Sequence, residues 1–266
     1  MKNLGILGLL LVLVFSACRQ GVNEVIVQQE IPLPGIENYV PDTEMINGSL
    51  VGFITDENEE PVADATVRFN GQTLTTDAYG YFSVENKAMN ALGALVQVEK
   101  EGYFKGSRRF FPKADATSQI KIQLLPKTFD ASFSSADGGT VRTTDGAAID
   151  FAPASIKTAD GSAYTGTVHV ATQWMNPALN QTLNQMPGNL QGVNTEVETV
   201  ALATYGMIAV ELEGDNGEAL NIADGQTATL TMPVPTSMLA NAPATIPLWS
   251  FHETLGLWIE ESSATL

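Results

Sequence analysis

Apolar and polar residues alternate in short runs over most of this chain. A period of two residues puts every second side chain on the same face of an extended strand, which is typical of a half-buried strand. No run shows the spacing of an amphipathic helix of three turns. The pattern predicts an all-β fold of short strands, as in a sandwich or barrel. The clearest alternating positions are Val67 and Phe69; Ala94, Val96 and Val98; Ile120, Ile122 and Leu124; Val168 and Val170; Ile208, Val210 and Leu212; and Ala228, Leu230 and Met232.

Turn-forming residues divide these strands into two groups. A seam at residues 126–128 predicts a β-sandwich over residues 48–125 and a second antiparallel β-domain over residues 126–266. Four Asp-Gly pairs mark tight turns in the second group. Residues 176–200 are rich in Asn and Gln and contain a Pro-Gly pair, so we expect a long excursion from the sheet with one helical turn.

The N-terminus has the form of a secretory signal. In residues 1–17 one basic residue, an uncharged apolar stretch and small residues precede Cys18. The stretch is shorter than the ~20 apolar residues that a spanning helix needs. The residues before Cys18 resemble the lipobox of bacterial lipoproteins, with Phe15 where Leu is usual. The resemblance implies that Cys18 is lipidated, becomes the mature N-terminus and anchors the chain to a membrane.

A tether is predicted between this anchor and the first sandwich, over residues 18–47. Three prolines interrupt it, and Pro-rich segments form extended, semi-stiff spacers. The Val-Ile-Val run at residues 25–27 favours a short edge strand as the alternative. The acidic motif that sends some Bacteroidetes lipoproteins to the outer face is not clear after Cys18, where Arg19 and Gln20 follow. The lipobox resemblance predicts an outer-membrane lipoprotein. The sequence does not decide whether it faces the periplasm or the cell surface.

Composition and charge exclude some partners. The formal net charge is −17, and it becomes −18 when Lys2 leaves with the signal. Binding to nucleic acid relies on Lys and Arg at phosphates, and adhesion to anionic lipid relies on a basic patch, so neither is expected. Hydrophobic residues make up 44% of the chain, which is enough for real cores. Cys18 is the only cysteine, so packing must supply the stability.

Sequence motifs in the first group of strands are specific. They lie at residues 52–56, 61–67, 75–82 and 98–103. Together they resemble the carboxypeptidase regulatory-like domain, a transthyretin-like β-sandwich of about seven strands. The resemblance implies a structural accessory module without peptidase residues. Glu60 and Asp64 replace two usual glycines, so looser turns are expected there. From the residues themselves, we expect Asp56 to hydrogen-bond the backbone of its turn and Val67 and Phe82 to be core residues.

The second group of strands has a signature of its own. It lies at residues 138–141, 145–153 and 164–168, and it extends through residues 205–212, 220–222, 233–235, 246–251 and 256–261. The first three pieces resemble the β-domain shared by ankyrins, netrin receptors and the zonula occludens protein. The whole order is similar to a region of cartilage intermediate layer protein and of many Bacteroidetes surface proteins. These families imply interaction and structure rather than catalysis.

One interpretation of the C-terminus is a truncated second domain. The chain ends at residues 263–266, directly after a strand, whereas proteins resembling this half usually continue with another strand. A missing strand would leave an unpaired edge, which invites association. On this interpretation we expect self-association that depends on protein concentration.

Three aromatic residues near the C-terminus are candidates for a ligand platform. Trp249 and Phe251 lead into a turn at residues 252–256, and Trp258 returns from it, which predicts a hairpin. Rings of this kind are more often core residues than sugar-stacking surfaces. A buried pair would favour a scaffolding role, and an exposed pair would favour glycan capture.

Candidate metal and catalytic residues are sparse. Calcium has the better case among metals, because Asp56 and Glu57 in one acidic turn and Asp215 and Glu218 in another offer hard oxygen ligands. Neither run matches an EF-hand loop, and acidic turns are usually just solvated. The only two histidines, His169 and His252, show no zinc spacing and no neighbourhood of a Ser-His-Asp triad.

These observations favour a lipid-anchored, non-catalytic protein of the cell envelope with a binding or scaffolding role. Its ligand, a protein or a glycan, is not identified by the sequence, and no cofactor other than calcium is a candidate. The alternative is a glycan-capturing surface lipoprotein of a polysaccharide uptake system. A weaker alternative is a carboxylate-dependent hydrolase, for which no residue spacing gives support.

Overall fold

The alternating runs of the sequence form strands, and the fold is all-β with only two short helices. The computed structural model describes residue 36 and residues 39–266. Cys18, the predicted signal and most of the predicted tether lie outside the described residues. Within the described part, no helix is long and apolar enough to cross a membrane.

Seven strands form the first half as two facing sheets. The sheet orders are β4-β1-β7 and β3-β2-β5-β6, and β1 and β7 run parallel. The strand count matches the expected sandwich of about seven strands. The strands are β1 (Met45–Thr55), β2 (Thr66–Phe69), β3 (Gln72–Thr75), β4 (Tyr81–Asn90), β5 (Ala94–Glu99), β6 (Gly106–Phe110) and β7 (Thr117–Gln123).

The core of this sandwich consists of the alternating apolar residues. Val67 is fully buried and Phe82 is 3% exposed, as predicted. The Asp56 carboxylate accepts hydrogen bonds from the backbone N–H groups of Asn58 at 2.8 Å and Glu60 at 2.9 Å, so it closes its own turn. Asp64, at a usual glycine position, has a φ of 55°, which strains a residue with a side chain.

The second half contains twelve strands in three sheets. The strands are β8 (Ala131–Ser134), β9 (Gly139–Arg142), β10 (Ala148–Phe151), β11 (Ile156–Thr158), β12 (Thr167–Met175), β13 (Gln191–Val193), β14 (Thr199–Ala201), β15 (Met207–Glu213), β16 (Ala219–Ile222), β17 (Ala228–Thr231), β18 (Thr245–His252) and β19 (Leu257–Thr265). The helices are α1 (Thr182–Gln185) and α2 (Thr236–Leu239). Two of the sheets, β11-β16-β15-β12-β8 and β17-β10-β9, pack their apolar faces together as a second sandwich.

A further sheet has the order β14-β13-β19-β18, and we call it the hairpin sheet. The predicted hairpin is confirmed as β18 and β19 around the turn at residues 252–256. The stretch at residues 176–200 contains the expected helical turn, α1. It also supplies β13 and β14, and β13 runs parallel to β19. Two short pieces of the predicted excursion are therefore strands of a sheet, and the rest lies outside it.

The two halves are joined by a packed interface. Its apolar part combines Phe104 and Leu125 of the first half with Met175 and Met207 of the second, and Met186 lies among them. A network of backbone and side-chain hydrogen bonds then ties β6 to the segment before β13. For example, the backbone N–H of Arg109 donates to the Gly188 carbonyl at 3.1 Å, and that of Gly188 donates to Ser107 Oγ at 3.0 Å.

Candidate functional site

A cleft of about 820 Å³ lies beside β18. This volume lies within the roughly 300–1,000 Å³ of ordinary small-molecule sites. The walls come from the first half at residues 104–107 and 123–125, from residues 202–210, from the end of β17 and from the hairpin sheet. Their apolar side chains include Leu125, Met207, Leu230, Met232, Val234, Ile246 and Leu248.

A carboxylate, Glu261, is aimed at this cleft by a break in the β18–β19 ladder. Leu248 pairs with Ser262 and Trp249 pairs with Glu260, so Glu261 is the extra residue of a β-bulge. Bulges re-aim side chains and are frequent next to functional sites. The Ser250 hydroxyl donates a hydrogen bond to Glu261 Oε1.

Burial raises the pKa of Glu261 to about 7, and the hydrogen bond from Ser250 opposes that shift only in part. No Lys, Arg or His within the described chain forms an ion pair with this carboxyl. A buried carboxylate is costly unless it is paired. Glu261 is therefore about half protonated at neutral pH, and a cation beside it would be stabilised.

The other charged side chains of the cleft walls, Lys105 and Glu253, already have partners. Lys105 Nζ lies 2.7 Å from Glu253 and 3.6 Å from Glu99. Burial lowers the pKa of Lys105, but these two carboxylates outweigh burial and the pKa is raised. Gln123 is 1% exposed, and its amide nitrogen donates to backbone carbonyls, whereas its Oε1 has no hydrogen-bond partner among the described residues. The Gln123 Oε1 atom is therefore a hydrogen-bond acceptor without a partner, whereas the charge of Lys105 is balanced by Glu99 and Glu253.

The three aromatic candidates lie at the cleft in different environments. Phe251 is 4% exposed, so its ring is a core residue and not an open stacking surface. Trp258 is half-buried, its ring meets Phe251 edge-on at 5.4 Å, and its Nε1 donates to the Asn189 carbonyl at 3.0 Å. Trp249 is half-buried against Gly192, where an added Cβ would lie 2.7 Å from the indole. The rings therefore pack the hairpin sheet and present edges to the cleft.

The calcium candidates do not gather into a site. Across residues 39–266 no group of three or more His, Cys, Asp or Glu side chains could hold a metal ion. Asp56 closes its own turn, as described above. Glu218 accepts from the backbone N–H of Asn216 at 2.9 Å, and Asp215 accepts from that of Thr167 at 3.1 Å. Asp56 and Glu218 therefore close their own turns, and Asp215 accepts from the backbone at Thr167. Calcium binding by Asp56, Glu57, Asp215 and Glu218 stays a prediction.

Histidine 169 has a partner that sequence spacing could not show. His169 Nε2 lies 3.1 Å from Asp215 Oδ1 across the β12–β15 end of the sheet. The backbone hydrogen bond from Thr167 and the His169 side chain hold the pKa of Asp215 below its ordinary value. Both side chains are well exposed, and Ser132 opposite His169 in the register makes no recorded hydrogen bond with it. The pair therefore lacks the nucleophile of a triad.

Glu261 is the residue that sequence reasoning missed. Its position in the alternation of β19 indicates only an edge-strand carboxylate. The bulge that aims it depends on how β18 pairs with β19. The single signal in the sequence is the consecutive pair Glu260 and Glu261. Successive side chains of a strand point to opposite faces, so a regular strand would turn one of these two charges toward the buried face.

Comparison with known proteins gives distant relatives. No family model matches the chain. Human cartilage intermediate layer protein 2 is 23% identical over 239 residues, covering 86% of this chain and 20% of that protein. Pig cartilage intermediate layer protein 1 is 30% identical over 103 residues, covering 38% of this chain and 17% of that protein. The chain thus spans about a fifth or less of the length of these two relatives.

Among solved structures, a protein of unknown function from Bacteroides fragilis aligns with 70% of this chain and 97% of its own. Its sequence identity is 11% and its TM-score is 0.27, too low to carry an argument about function. The sequence matches to the two cartilage intermediate layer proteins show a weak homology of this chain to that kind of protein.

Proposed function

We propose that this chain is a lipid-anchored, non-catalytic protein of the bacterial outer membrane, with a binding role centred on the cleft beside β18. In this proposal residues 1–17 are the signal, residues 18–47 the tether, residues 48–125 a carboxypeptidase regulatory-like sandwich and residues 126–266 the second β-domain. The observation that carries the binding role is the apolar cleft with the half-buried carboxyl of Glu261. Its size and its mixture of apolar walls with a few polar groups are those of a ligand site.

A non-catalytic role is favoured over a hydrolase by the isolation of Glu261. Glycoside hydrolysis needs two carboxyl groups at about 5–9.5 Å, and such a pair would shift each other's pKa. The pKa of Glu261 depends on burial and on Ser250, and no second carboxylate contributes. A carboxyl without a second carboxyl beside it supports binding rather than glycoside cleavage.

Glycan capture on a flat aromatic surface has less support. A stacking platform requires exposed ring faces, whereas Phe251 is buried and Trp258 is packed against it. The packed rings instead favour the scaffolding form of the proposal, in which two sandwiches and the hairpin sheet hold the cleft in shape. A glycan array on the purified protein separates the two, because strong glycan binding would restore the uptake-lipoprotein alternative.

The lipid anchor predicts an all-or-none change in location. Replacing Cys18 by Ser removes the thiol that lipidation requires, so Cys18→Ser should take up no labelled fatty acid. The variant should appear as an unprocessed precursor or as a soluble product, while the natural chain is found with membranes. Several acyl chains are needed because each buried CH₂ contributes only ~0.8 kcal/mol and one chain binds marginally. Cell fractionation with labelled fatty acid measures both properties.

Ser16→Ala, two residues before the same cysteine, is the matched control, and it should keep both label and location. Label on Cys18→Ser, or its absence from the natural chain, would make residues 1–17 an ordinary signal peptide.

A further inference from the structure

We propose that the cleft binds a small organic cation with an apolar body, and that the positive group of this ligand pairs with Glu261. The inference rests on the proposed function, because it names the ligand class of the same cleft. Three independent features support it, namely the placement of the carboxyl, the absence of a cation beside it and the character of the surrounding walls.

The first feature is the β-bulge. In a regular ladder each residue of β19 would face one residue of β18, and Glu260 and Glu261 would point to opposite faces of the sheet. The bulge inserts Glu261 as an extra residue opposite Leu248 and Trp249. Ser250 then fixes one carboxyl oxygen through its hydroxyl, and the other oxygen has no recorded hydrogen bond within the described residues. The carboxyl is thus positioned and retains an acceptor.

The second feature is charge. Lys105, Tyr205 and Glu253 are the other titratable side chains of the cleft walls, and Lys105 is held by Glu253 and Glu99. None of these three groups contributes to the raised pKa of Glu261, and neither does Glu260 beside it. Among the side chains that line the cleft, Glu261 is therefore the one carboxyl whose ionised form lacks a counter-ion in the described chain. A ligand that supplies the counter-ion gains a charge-assisted hydrogen bond in a partly desolvated place.

The third feature is the apolar character of the walls. Leu230 of β17, Met232 and Val234 just after it, and Ile246 and Leu248 of β18 line the same cleft as Glu261. A fully hydrated inorganic cation would gain little from these surfaces, whereas an apolar group buries area at ~25 cal/mol per Å². Together these features specify an apolar body joined to an ammonium group.

The test compares three probes of similar shape on the full chain held in lipid nanodiscs. The probes are 2-phenylethylammonium, the neutral 3-phenylpropanol and the anionic 3-phenylpropionate, measured by isothermal titration calorimetry. We expect the ammonium to bind at least about tenfold more tightly than the alcohol, because only it gains the charge pair, and the carboxylate to bind most weakly. Equal affinities for the three would overturn the inference.

Protons provide a second readout. The ammonium favours the ionised carboxyl, so binding at pH 7 should release about half a proton per ligand from a group with a pKa of about 7. Affinity should rise about tenfold from pH 6 to pH 8 as that group ionises, since 2-phenylethylammonium stays charged over this range. Titrations in phosphate and in Tris, which differ in ionisation enthalpy, measure the release. Binding without proton release would contradict the assignment to Glu261.

Two variants locate the effect. Glu261→Gln should weaken ammonium binding at least about tenfold, abolish its pH dependence and leave 3-phenylpropanol unaffected. Glu198→Gln replaces an exposed glutamate on the β13–β14 turn of the same sheet by the same neutral side chain and should alter neither. Equal losses in both variants would indicate the general negative charge of the protein and overturn the inference. If the alcohol binds and the ammonium has no advantage, the cleft remains a binding site and only its ligand class is wrong.

Discussion

Replacing Lys127 by Met should destabilise the protein by about 3–5 kcal/mol, because it leaves a buried carboxylate without its partner. Lys127 Nζ lies 2.7 Å from Glu211, whose side chain is only 3% exposed, and 3.5 Å from Glu213. Lys127 lies in the seam at residues 126–128 and Glu211 lies on β15, so the pair ties the seam to the five-stranded sheet of the second half. Urea unfolding of the full chain, followed by circular dichroism, measures the loss.

The pH dependence of this variant identifies the cause. Burial raises the pKa of Glu211, and Lys127 opposes that shift in the natural chain. Without Lys127 the folded state holds a proton on Glu211 that the unfolded state releases, so stability falls as pH rises through the interval between the two pKa values. The deficit of Lys127→Met should therefore shrink on acidification toward pH 5.

Lys121→Met is the matched control for this experiment. Lys121 pairs with Glu59 at 3.1 Å on the surface, where the two side chains are 36% and 65% exposed. Its loss should cost no more than about 1 kcal/mol. Equal effects of the two substitutions, or a Lys127→Met deficit that does not change with pH, would show that Lys127 and Glu211 do not form a stabilising buried ion pair.

Phe82→Ala should lower the free energy of unfolding of the first sandwich by about 3–5 kcal/mol. The Phe82 ring is 3% exposed and lies over Gly52, where an added Cβ would come within 2.1 Å of the ring. In the natural chain the Phe82 ring fills the space over Gly52, so its removal in Phe82→Ala leaves a cavity there. The midpoint of urea unfolding measures the change.

Phe53→Ala removes the same ring from the neighbouring position of β1, where the side chain is 36% exposed. This control should have a clearly smaller effect, because little of the lost area is buried. An unchanged midpoint for Phe82→Ala would mean that the strand assignment places Phe82 on the wrong face of β4.

The sequence predicts the strands well because their alternation is local. Positions such as Val67 and Val96 lie in runs whose period of two directly reflects one buried face. The turn at Asp56 is predictable for the same reason, since the side chain bonds backbone groups only two and four residues away. Both conclusions need only a short window of sequence.

Contacts between residues that are distant in the sequence could not be predicted from it. Glu211 occupies a polar position between Val210 and Leu212, which the alternation places on a solvent-facing side. In the structure its side chain is buried and paired with Lys127, far away in the chain. The parallel pairing of β13 with β19 likewise joins segments more than sixty residues apart.

The cleft was missed for a related reason. It is lined by both halves and by the hairpin sheet, so no single segment carries its signature. The sequence correctly identified the hairpin at Trp249 and Trp258, but exposure of the rings depends on what packs against them. Glu261 belongs to a bulge, and a one-residue insertion in a ladder leaves no periodic mark.

Binding in the cleft is the central claim, and titration with the neutral fluorescent probe N-phenyl-1-naphthylamine tests it most directly. The full chain in nanodiscs should bind the probe saturably at one site, above the signal of empty nanodiscs. Leu248→Arg, which puts a charge into the apolar wall, should weaken binding at least about tenfold. Leu183→Arg, at a leucine that is 53% exposed and outside the cleft, should leave binding unchanged. No saturable binding, or the same affinity in all three proteins, would contradict the account.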